Sequence, residues 1–303
     1  MALGLRLFGS AGIKVSPLTL GTMRFSEKNL TVASVRSLIA YAHERGVNTH
    51  HVSHEYQSFA LYREALASFP KSFREGLAII AKLPYPHFKD GKTDFSLFGK
   101  RVDEYLTWLG LEKIAVVQWL FRSEPLDDSI RIPKLRQACA EGLSGCFQDL
   151  ISRGKVGNIA SFPYTSDFWR QSKEIGLVDS QVNYLNLLET EYSEFLDDCY
   201  FIALRPLAAG RLGGRSGFIK GDLSDILKEV SDASGIPNRS LTSLALNFPL
   251  WHPKVASVVL SMNSREDLDG ALAALKPETD IGLFNKVLGL LRSRQPVHDQ
   301  QGG

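Results

Sequence analysis

Eight short apolar runs, each rich in Val, Ile and Leu, alternate along this chain with longer segments whose apolar residues recur at helical spacing. Each run is short enough to form a buried β-strand, and the alternation is typical of βα units around a parallel sheet. The predicted strands are Pro17–Leu20, Val47–His51, Leu77–Leu83, Ile114–Trp119, Val156–Ile159, Asp179–Asn183, Phe201–Leu204 and Val255–Leu260. Eight units are the number that closes a (β/α)8 barrel, so the sequence predicts an α/β fold of this kind.

The segment between the first two strands shows the helical pattern most clearly. Val35, Leu38, Ile39 and Ala42 recur at the spacing that places them on one face of a helix. Gly46 follows where such a helix would stop. The pattern predicts one helix followed directly by the second strand.

Length decides between one domain and several. A (β/α)8 barrel, or TIM barrel, takes about 250 residues, and this chain has 303. No interdomain linker is visible, so residues 1–303 are predicted to form a single domain.

The two ends of the chain are predicted separately from the barrel. A β-hairpin over residues 5–15 is predicted from Leu5–Phe8 and Ile13–Val15, which are joined by a glycine-containing turn, and it is expected to plug the lower end of the barrel. The tail Gln295–Gly303 is expected to be frayed.

Composition narrows the classes of partner. No apolar run is long enough to cross a bilayer as a helix. The net charge is only +2, and Lys and Arg are scattered, so nucleic acid is not expected as a partner and a small molecule is. The start of the chain lacks the apolar core of a secretory signal, and Cys139, Cys146 and Cys199 are odd in number. These features predict a reducing, cytoplasmic location.

Two irregular segments are predicted to be loops at the mouth of the barrel. Ser123–Lys134 contains Pro125 and Pro133, and Leu207–Ser224 contains five glycines. The glycine-rich segment lacks both G-x-G-x-x-G and a terminal Gly-Lys-Ser/Thr, so it does not predict a phosphate-binding loop of either kind. Two interpretations stay open for it, a flexible connection or a loop that closes over a ligand.

Three histidines, His50, His51 and His54, lie close enough in sequence to suggest a metal site, but strand geometry argues against one. Neighbouring side chains on a strand point to opposite faces, so His50 and His51 cannot share an ion. His51 and His54 with Glu55 would make a weak site, because catalytic zinc usually has three protein ligands. No metal is therefore predicted, and His50 is expected to be a core histidine bonded to the backbone.

Seven blocks of sequence occur in the order and spacing of a known family. They are Leu20–Met23, Gly46–Asn48, Ala81–Lys82, Gly154–Val156, Gln181–Tyr184, Arg205–Gly210 and Ser264–Leu268. Together they resemble the aldo/keto reductase superfamily, in its bacterial branch, over nearly the whole chain. The resemblance implies a TIM barrel, a small carbonyl or alcohol substrate, and NADP as the cofactor.

The same resemblance implies a reaction centre that departs from the family's pattern. In the family a tyrosine protonates the substrate carbonyl, a lysine lowers the pKa of that tyrosine, an aspartate holds the lysine, and a histidine orients the carbonyl. Tyr56 matches the tyrosine and Lys82 the lysine. His51 stands in the position of the aspartate, and Leu120 in that of the histidine. Two of the four groups are therefore replaced.

The positions that the resemblance assigns to the cofactor are kept in part. The implied contacts are Gly21, Thr22, Met23, Gln181, Arg205, Leu207 and Arg265, with Gln181 on the nicotinamide carboxamide, Arg205 and Leu207 near the pyrophosphate, and Arg265 at a 2′-phosphate. The family's Ser-Asn pair is replaced by Phe162 and Pro163, which offer no side-chain donor. Ala271 replaces an asparagine of the adenine-binding segment. These departures predict weakened cofactor recognition.

Three hypotheses for function follow. The first is an atypical NADP-linked oxidoreductase, with Tyr56 as acid, Lys82 as the group that tunes it and His51 as a substitute orienting group. The second is a non-redox lyase, dehydratase or isomerase that uses the same three residues for proton transfer, because loss of the aspartate is expected to leave a buried Lys82 without its counter-ion and closer to neutral. The third is a non-catalytic binding or regulatory barrel. The first is preferred because most family blocks persist.

Overall fold

The fold is a closed barrel of eight parallel strands. The structure, a computed structural model, describes residues 3–87, 95–122, 126–212, 228–232 and 241–294. The barrel strands are β3 (Leu18–Gly21), β4 (Thr49–Ser53), β5 (Ala78–Pro84), β6 (Ile114–Leu120), β7 (Val156–Ser161), β8 (Ser180–Tyr184), β9 (Tyr200–Leu204) and β10 (Val255–Ser261). They pair in chain order, and β10 closes on β3. The predicted (β/α)8 barrel is confirmed.

Every predicted barrel strand is present, and each boundary falls within two residues of the prediction. The main difference is that several strands continue further at the carboxyl end, as at Ser53 and Ser161. Polar side chains occupy these ends, so the apolar pattern stops before the backbone pairing does. The strand ends that the apolar pattern missed are therefore those nearest the mouth of the barrel.

The predicted N-terminal hairpin is also confirmed. It consists of β1 (Arg6–Phe8) and β2 (Ile13–Val15), paired antiparallel. Phe8 and Val15 are fully buried against side chains of the barrel interior, among them Ala78 at the amino end of its strand. The hairpin thus closes the lower end of the barrel, opposite to the carboxyl ends of the strands.

Helices cover the outside of the barrel. They are α1 (Val32–Glu44), α2 (Phe59–Ala67), α3 (Lys71–Glu75), α4 (Phe95–Leu109), α5 (Asp128–Ala140), α6 (Leu143–Ser152), α7 (Ser166–Glu174), α8 (Leu241–Leu250), α9 (Arg265–Ala274) and α10 (Ile281–Arg294). The first has the predicted buried face, is capped by Thr31, and is followed by Gly46 with a φ of 85°. Within the described ranges, no helix is both long and apolar enough to span a membrane.

The predicted loop Ser123–Lys134 is wrong in its second half, because α5 begins at residue 128. Asp127 caps this helix by accepting a hydrogen bond from the Ser129 amide, and Pro133 lies inside it. A proline removes one amide donor, which the buried face of the helix compensates. Of the segment Leu207–Ser224, residues 207–212 include a short 3-10 helix, and the rest lies outside the described residues, as does the tail Gln295–Gly303.

Candidate active site

A cavity of about 510 Å³ lies at the carboxyl ends of the barrel strands. Every barrel strand contributes to its wall, either through its last residues or through the residue that follows. One such residue from each strand, in chain order, is Gly21, His51, Lys82, Gln118, Phe162, Tyr184, Leu204 and Ser261. Active sites of (β/α)8 barrels lie at this face, so the cavity is the candidate active site.

Most of the residues predicted to form the site line this cavity. These are Gly21, Met23, His51, Tyr56, Lys82, Arg205 and Leu207, together with the substituted positions Leu120 and Phe162. Three predicted cofactor contacts, Thr22, Gln181 and Arg265, do not line it. The buried Thr22 hydroxyl donates to the His51 carbonyl at 3.1 Å, and exposed Arg265 donates to Ser37 at 2.8 Å.

Gln181 is fully buried, and its position follows from strand geometry. Its neighbour Val182 belongs to the apolar cluster inside the barrel. Because successive side chains on a strand point to opposite faces, Gln181 is directed toward the helical layer. Its amide nitrogen has no hydrogen-bond partner among the described residues.

His51 is held in one tautomer by Gln118. The Gln118 amide nitrogen donates to the Val182 carbonyl at 2.8 Å, so its oxygen must face His51. That oxygen lies 2.8 Å from His51 Nε2 and can only accept, so Nε2 carries the proton. His51 Nδ1 is left as an acceptor.

Tyr56 is the group that faces this acceptor. Its hydroxyl lies 3.5 Å from His51 Nδ1, at the long end of the hydrogen-bond range, and donates to it. Burial, followed by the charge of Glu55, raises the pKa of Tyr56. Burial lowers the pKa of His51 to about 4, although the hydrogen bond that His51 donates to Gln118 opposes the shift. At neutral pH both side chains are therefore uncharged.

Lys82 has a carboxylate partner after all. Its ammonium lies 2.9 Å from Glu55 Oε2, and the other Glu55 oxygen accepts from Arg122 at 2.6 Å. The expectation that His51 leaves Lys82 without a counter-ion is therefore wrong, because Glu55 supplies one from the loop after β4. Burial opposes ionisation of Glu55, but the hydrogen bonds from Arg122 and Lys82 outweigh it and lower its pKa to about 2.

The ion pair also sets where Lys82 lies relative to Tyr56. Its ammonium is 5.6 Å from the centre of the Tyr56 ring, and among the described residues it makes no hydrogen bond to the Tyr56 hydroxyl. Burial lowers the pKa of Lys82, while the bond to Glu55 opposes this shift. Lys82 contacts the face of the tyrosine, and His51 is the partner of its hydroxyl.

Sequence reasoning missed Glu55, Gln118 and Arg122 as site residues. Glu55 and Arg122 are 67 positions apart, so their contact is not visible locally. A usable signal existed on β6, because Gln118, Leu120 and Arg122 follow the period of two that places side chains on one face. Because the resemblance already placed Leu120 at the reaction centre, the same period predicts that Gln118 and Arg122 face the cavity as well.

His87 Nε2 lies 3.5 Å from Glu55 Oε1, beside the ion pairs of Lys82 and Arg122, whereas His50 and His54 bond tyrosine hydroxyls instead. His50 is fully buried, as predicted for a core histidine. Its Nδ1 bonds the Tyr62 hydroxyl at 2.8 Å, whereas a bond to the backbone had been predicted. His54 Nδ1 bonds the Tyr105 hydroxyl at 3.0 Å. In the described part of the chain, no three His, Cys, Asp or Glu side chains are grouped so that they could hold a metal ion.

The loop after β9 has an unusual backbone. Arg205, Ala208 and Ala209 have φ values of 55°, 46° and 57°, in the left-handed region. The amide N–H groups of Leu207 and Ala209 make no hydrogen bond within the described residues, and both residues line the cavity. The Arg205 guanidinium lies 4.2 Å from the centre of the Tyr184 ring. Free amides beside a cation form a place for an anion.

Three aromatic rings form one wall of the cavity. Phe162 lies between Tyr164 and Tyr184, with ring centres 4.9 and 5.1 Å away in edge-to-face contacts. Tyr164 has a φ of 67°, and its hydroxyl accepts from Arg122 Nε at 2.9 Å. The wall is apolar at Phe162 and polar where Tyr164 meets Arg122.

Comparison with known proteins agrees with the fold and the motifs. The sequence model of the Aldo/keto reductase family matches residues 17–288. A 6-dehydroglucose reductase of Novosphingobium aromaticivorans is 24% identical in an alignment 294 positions long, and the match covers 88% of this chain and 89% of that protein. An aldo-keto reductase from Bacillus halodurans superposes with a TM-score of 0.72 in its holo form, at 19% identity, and 0.73 in its apo form, at 17%, each over 98% of this chain and 99% of that one. The chain belongs to the aldo/keto reductase family.

Proposed function

We propose that this chain is an NADP-linked oxidoreductase that reduces a small carbonyl substrate at Tyr56, in an active site that departs from the family's usual set of groups. The observation that carries the proposal is the hydrogen-bonded chain from Gln118 through His51 to the Tyr56 hydroxyl. It leaves one protonated hydroxyl at the cavity wall, in a position defined by two buried side chains.

The loop after β9 supports binding of a dinucleotide. The amides of Leu207 and Ala209, which make no hydrogen bond to another described residue, offer two donors to a pyrophosphate, and Arg205 offers a positive charge beside them. At the far end, Arg265 is exposed in the first turn of α9, where a helix N-terminus favours an anion such as a 2′-phosphate. The donors present therefore fit the phosphates of NADP.

The nicotinamide end would be held differently from the family's pattern. Phe162 and Pro163 give no side-chain donor, but the rings of Phe162 and Tyr184 present an apolar surface to the cavity. A nicotinamide ring can pack against such a surface by dispersion and stacking. We therefore expect packing, rather than hydrogen bonds to the carboxamide, to orient the ring.

The residues of the chain then have separate tasks in reduction. NADPH, when bound, supplies the hydride. The Tyr56 hydroxyl turns from its long bond to His51 and gives its proton to the carbonyl oxygen. Lys82 and Arg122, both at the cavity wall, stabilise the negative charge that builds on that oxygen.

The protonation states at neutral pH are those from which carbonyl reduction starts. Reduction needs a Tyr56 hydroxyl that still carries its proton, whereas alcohol oxidation needs a base at the cavity, either an ionised Tyr56 or a basic His51. Burial raises the pKa of Tyr56 and lowers that of His51 to about 4, so at pH 7 Tyr56 keeps its proton and His51 is a weak base. The same reasoning disfavours the non-redox alternative, because proton abstraction from carbon needs a base poised near neutrality.

The name of the Novosphingobium relative suggests a first substrate to try. That protein is a 6-dehydroglucose reductase, so a polyhydroxylated aldehyde or ketone belongs in the first carbonyl panel. The hydroxyl and guanidinium groups of Tyr164 and Arg122 at the cavity wall can bond sugar hydroxyls.

The location proposed for the protein is the cytoplasm. Cys139, Cys146 and Cys199 form no disulfide, and Cys199 is buried, which fits a reducing compartment.

The decisive experiment is a calorimetric titration of the purified protein with NADPH and with NADH. Micromolar binding of NADPH, about −8 kcal/mol, is expected, with weaker binding of NADH because it lacks the 2′-phosphate that Arg265 would meet. Arg205→Ala and Arg265→Ala should each weaken the binding of NADPH. Only Arg265→Ala should reduce the difference in affinity between NADPH and NADH. No binding of either nucleotide at millimolar concentration would overturn the proposal.

A further inference from the structure

The wall of the cavity is basic. Four cationic side chains line it, those of Arg24, Lys82, Arg122 and Arg205, while none of the described lining residues is an Asp or Glu. The proposed pyrophosphate site accounts for Arg205. The other three cations lie on the loop after β3, on β5 and directly after β6, so the pyrophosphate does not explain them.

Lys82 and Arg122 share one carboxylate. Both pair with Glu55, at 2.9 and 2.6 Å, and His87 Nε2 lies 3.5 Å from the same carboxylate. Among the described residues, the Lys82, Arg122 and Glu55 side chains together carry two positive charges and one negative charge. The side chains are only 19%, 13% and 24% exposed for Lys82, Arg122 and Glu55. Water screens charges poorly at this depth, and the excess charge acts on whatever occupies the cavity beside Tyr56.

Arg24 adds charge at the rim. Its partner, Glu27, is 3.7 Å away, and the two side chains are 44% and 55% exposed. An exposed pair of this kind contributes little energy and is readily exchanged for another partner. Arg24 can therefore turn to an anion that enters the cavity.

We propose, on the basis of the reductase function above, that the natural substrate is a small aldehyde or ketone that also carries a carboxylate, bound beside Lys82 and Arg122 with its carbonyl at Tyr56. We infer a carboxylate rather than another anion, because Lys82 and Arg122 already bind one carboxylate, that of Glu55, through one oxygen each. An uncharged substrate would leave the excess positive charge of the cavity uncompensated.

The first test measures binding without the cofactor and without turnover. Butanoate and butanamide have nearly the same shape, and only butanoate is charged at pH 7.5. Calorimetry at low ionic strength is expected to show butanoate bound about ten-fold or more tightly than butanamide, with the difference shrinking as salt is added. Equal affinity for the two, or no binding of either, would overturn the inference.

Two variants with opposite expected effects separate charge from structural damage. Arg122→Gln removes the excess positive charge and should weaken the binding of butanoate about ten-fold. Glu55→Gln removes the competing carboxylate and should strengthen the binding of butanoate, because both cations become available to it. Arg63→Gln, an exposed cation on α2 away from the cavity, should change neither. Weakening by both site variants would overturn the inference.

The second test uses turnover, which distinguishes this inference from the proposed function. With saturating NADPH, kcat/KM for 4-oxobutanoate should exceed that for its methyl ester about ten-fold or more, and Arg24→Gln should reduce the ratio. Reduction of the ester at least as fast as the acid would overturn the inference and leave the reductase function standing. Tight butanoate binding with no NADPH oxidation on either compound would leave the anion site standing and overturn the reductase function.

Discussion

Lys82 has a carboxylate partner, Glu55, whose Oε2 lies 2.9 Å from the Lys82 ammonium. The resemblance of the sequence to the family assigns His51, four residues before Glu55, to the position of an aspartate. The Tyr56 hydroxyl faces His51 Nδ1 at 3.5 Å rather than the lysine. Under the proposed function, the reaction centre therefore uses Tyr56 and Lys82 with partners different from those that the resemblance implies.

A double-mutant cycle tests this exchange of partners. His51→Asp alone should lower kcat/KM for an uncharged aldehyde, because it removes the partner of the Tyr56 hydroxyl while Lys82 is already paired with Glu55. In a Glu55→Gln background the same change also supplies the missing counter-ion, so its effect on kcat/KM should be about five-fold more favourable than in the wild type, a coupling of about 1 kcal/mol. Steady-state kinetics on the four proteins measures it. Equal effects of His51→Asp in both backgrounds would show that Glu55 is not the partner that matters.

The sequence predicted the site residues that depend on local spacing. Tyr56 and His51 are five positions apart, and Lys82 closes a short family block, so all three could be named, and all three line the cavity. Glu55 was visible in the sequence but was considered only as a weak metal ligand. Its contact with Arg122 joins residues 67 positions apart, and it arises only when neighbouring strand ends are brought together by the barrel.

At the scale of secondary-structure elements, α5 has a function that its sequence obscured. Two prolines predicted a loop, yet the helix begins at residue 128 and carries the fully buried Arg131. The Arg131 guanidinium donates to the carbonyls of Phe121 and Pro163, at 3.3 and 2.7 Å. It therefore ties together the segments that follow β6 and β7, which carry Arg122 and the aromatic wall.

Removal of this buried arginine should be costly. Arg131→Met leaves two buried carbonyl groups without their donor and Asp128 without its cation, so the free energy of unfolding should fall by about 3 kcal/mol or more. Urea denaturation measures the loss. Lys134→Met, an exposed change on the same helix, should stay within about 0.5 kcal/mol of the wild type. If the two variants are equally stable, the ties made by Arg131 do not stabilise the fold.

The prediction of elements was most accurate for the strands and least accurate near the mouth. Strand cores such as residues 114–117 of β6 are continuous apolar runs, which predict a buried strand clearly. The ends of strands and the segments after them carry polar residues, such as Ser53 and the cavity residue Arg122, so their pattern no longer reports backbone structure. The first part of α5 was missed for another reason, because Pro125 and Pro133 predicted a loop there.

At the scale of the whole molecule, buried histidines tie stability to pH. His50 and His51 are buried, and burial lowers their pKa values to about 3 and about 4. In the unfolded chain both histidines are protonated near the ordinary histidine pKa of 6.5, whereas in the folded protein they stay neutral to lower pH. Above pH 6.5 both states are neutral and the free energy of unfolding has its full value. As the pH falls from 6.5 toward 4, the free energy of unfolding falls by up to about 1.4 kcal/mol per pH unit and histidine.

This pH dependence can be measured by urea denaturation between pH 7 and pH 4. The wild-type free energy of unfolding should fall steadily below pH 6.5. His50→Gln, which keeps a polar group facing Tyr62, should be less stable at pH 7 but show a shallower fall. An equal slope in both proteins would contradict the account of His50.

The fold of the whole molecule was more predictable than its chemistry. Eight repeated units and a short hairpin suffice to define the closed barrel and its plug, because each unit buries its strand in the same way. The basic cavity depends instead on four side chains from separate strand ends and loops, Arg24, Lys82, Arg122 and Arg205. Their common position exists only in the closed barrel.

The most direct test of the proposed reductase is a single-turnover measurement of NADPH oxidation, with wild-type protein and Tyr56→Phe, each first shown to bind NADPH. With a carbonyl substrate in excess, the wild type should oxidise the bound NADPH, and Tyr56→Phe should do so about 100-fold or more slowly, at unchanged NADPH affinity, because only the proton donor is lost. An unchanged rate in Tyr56→Phe, or bound NADPH that no carbonyl compound oxidises, would contradict the account.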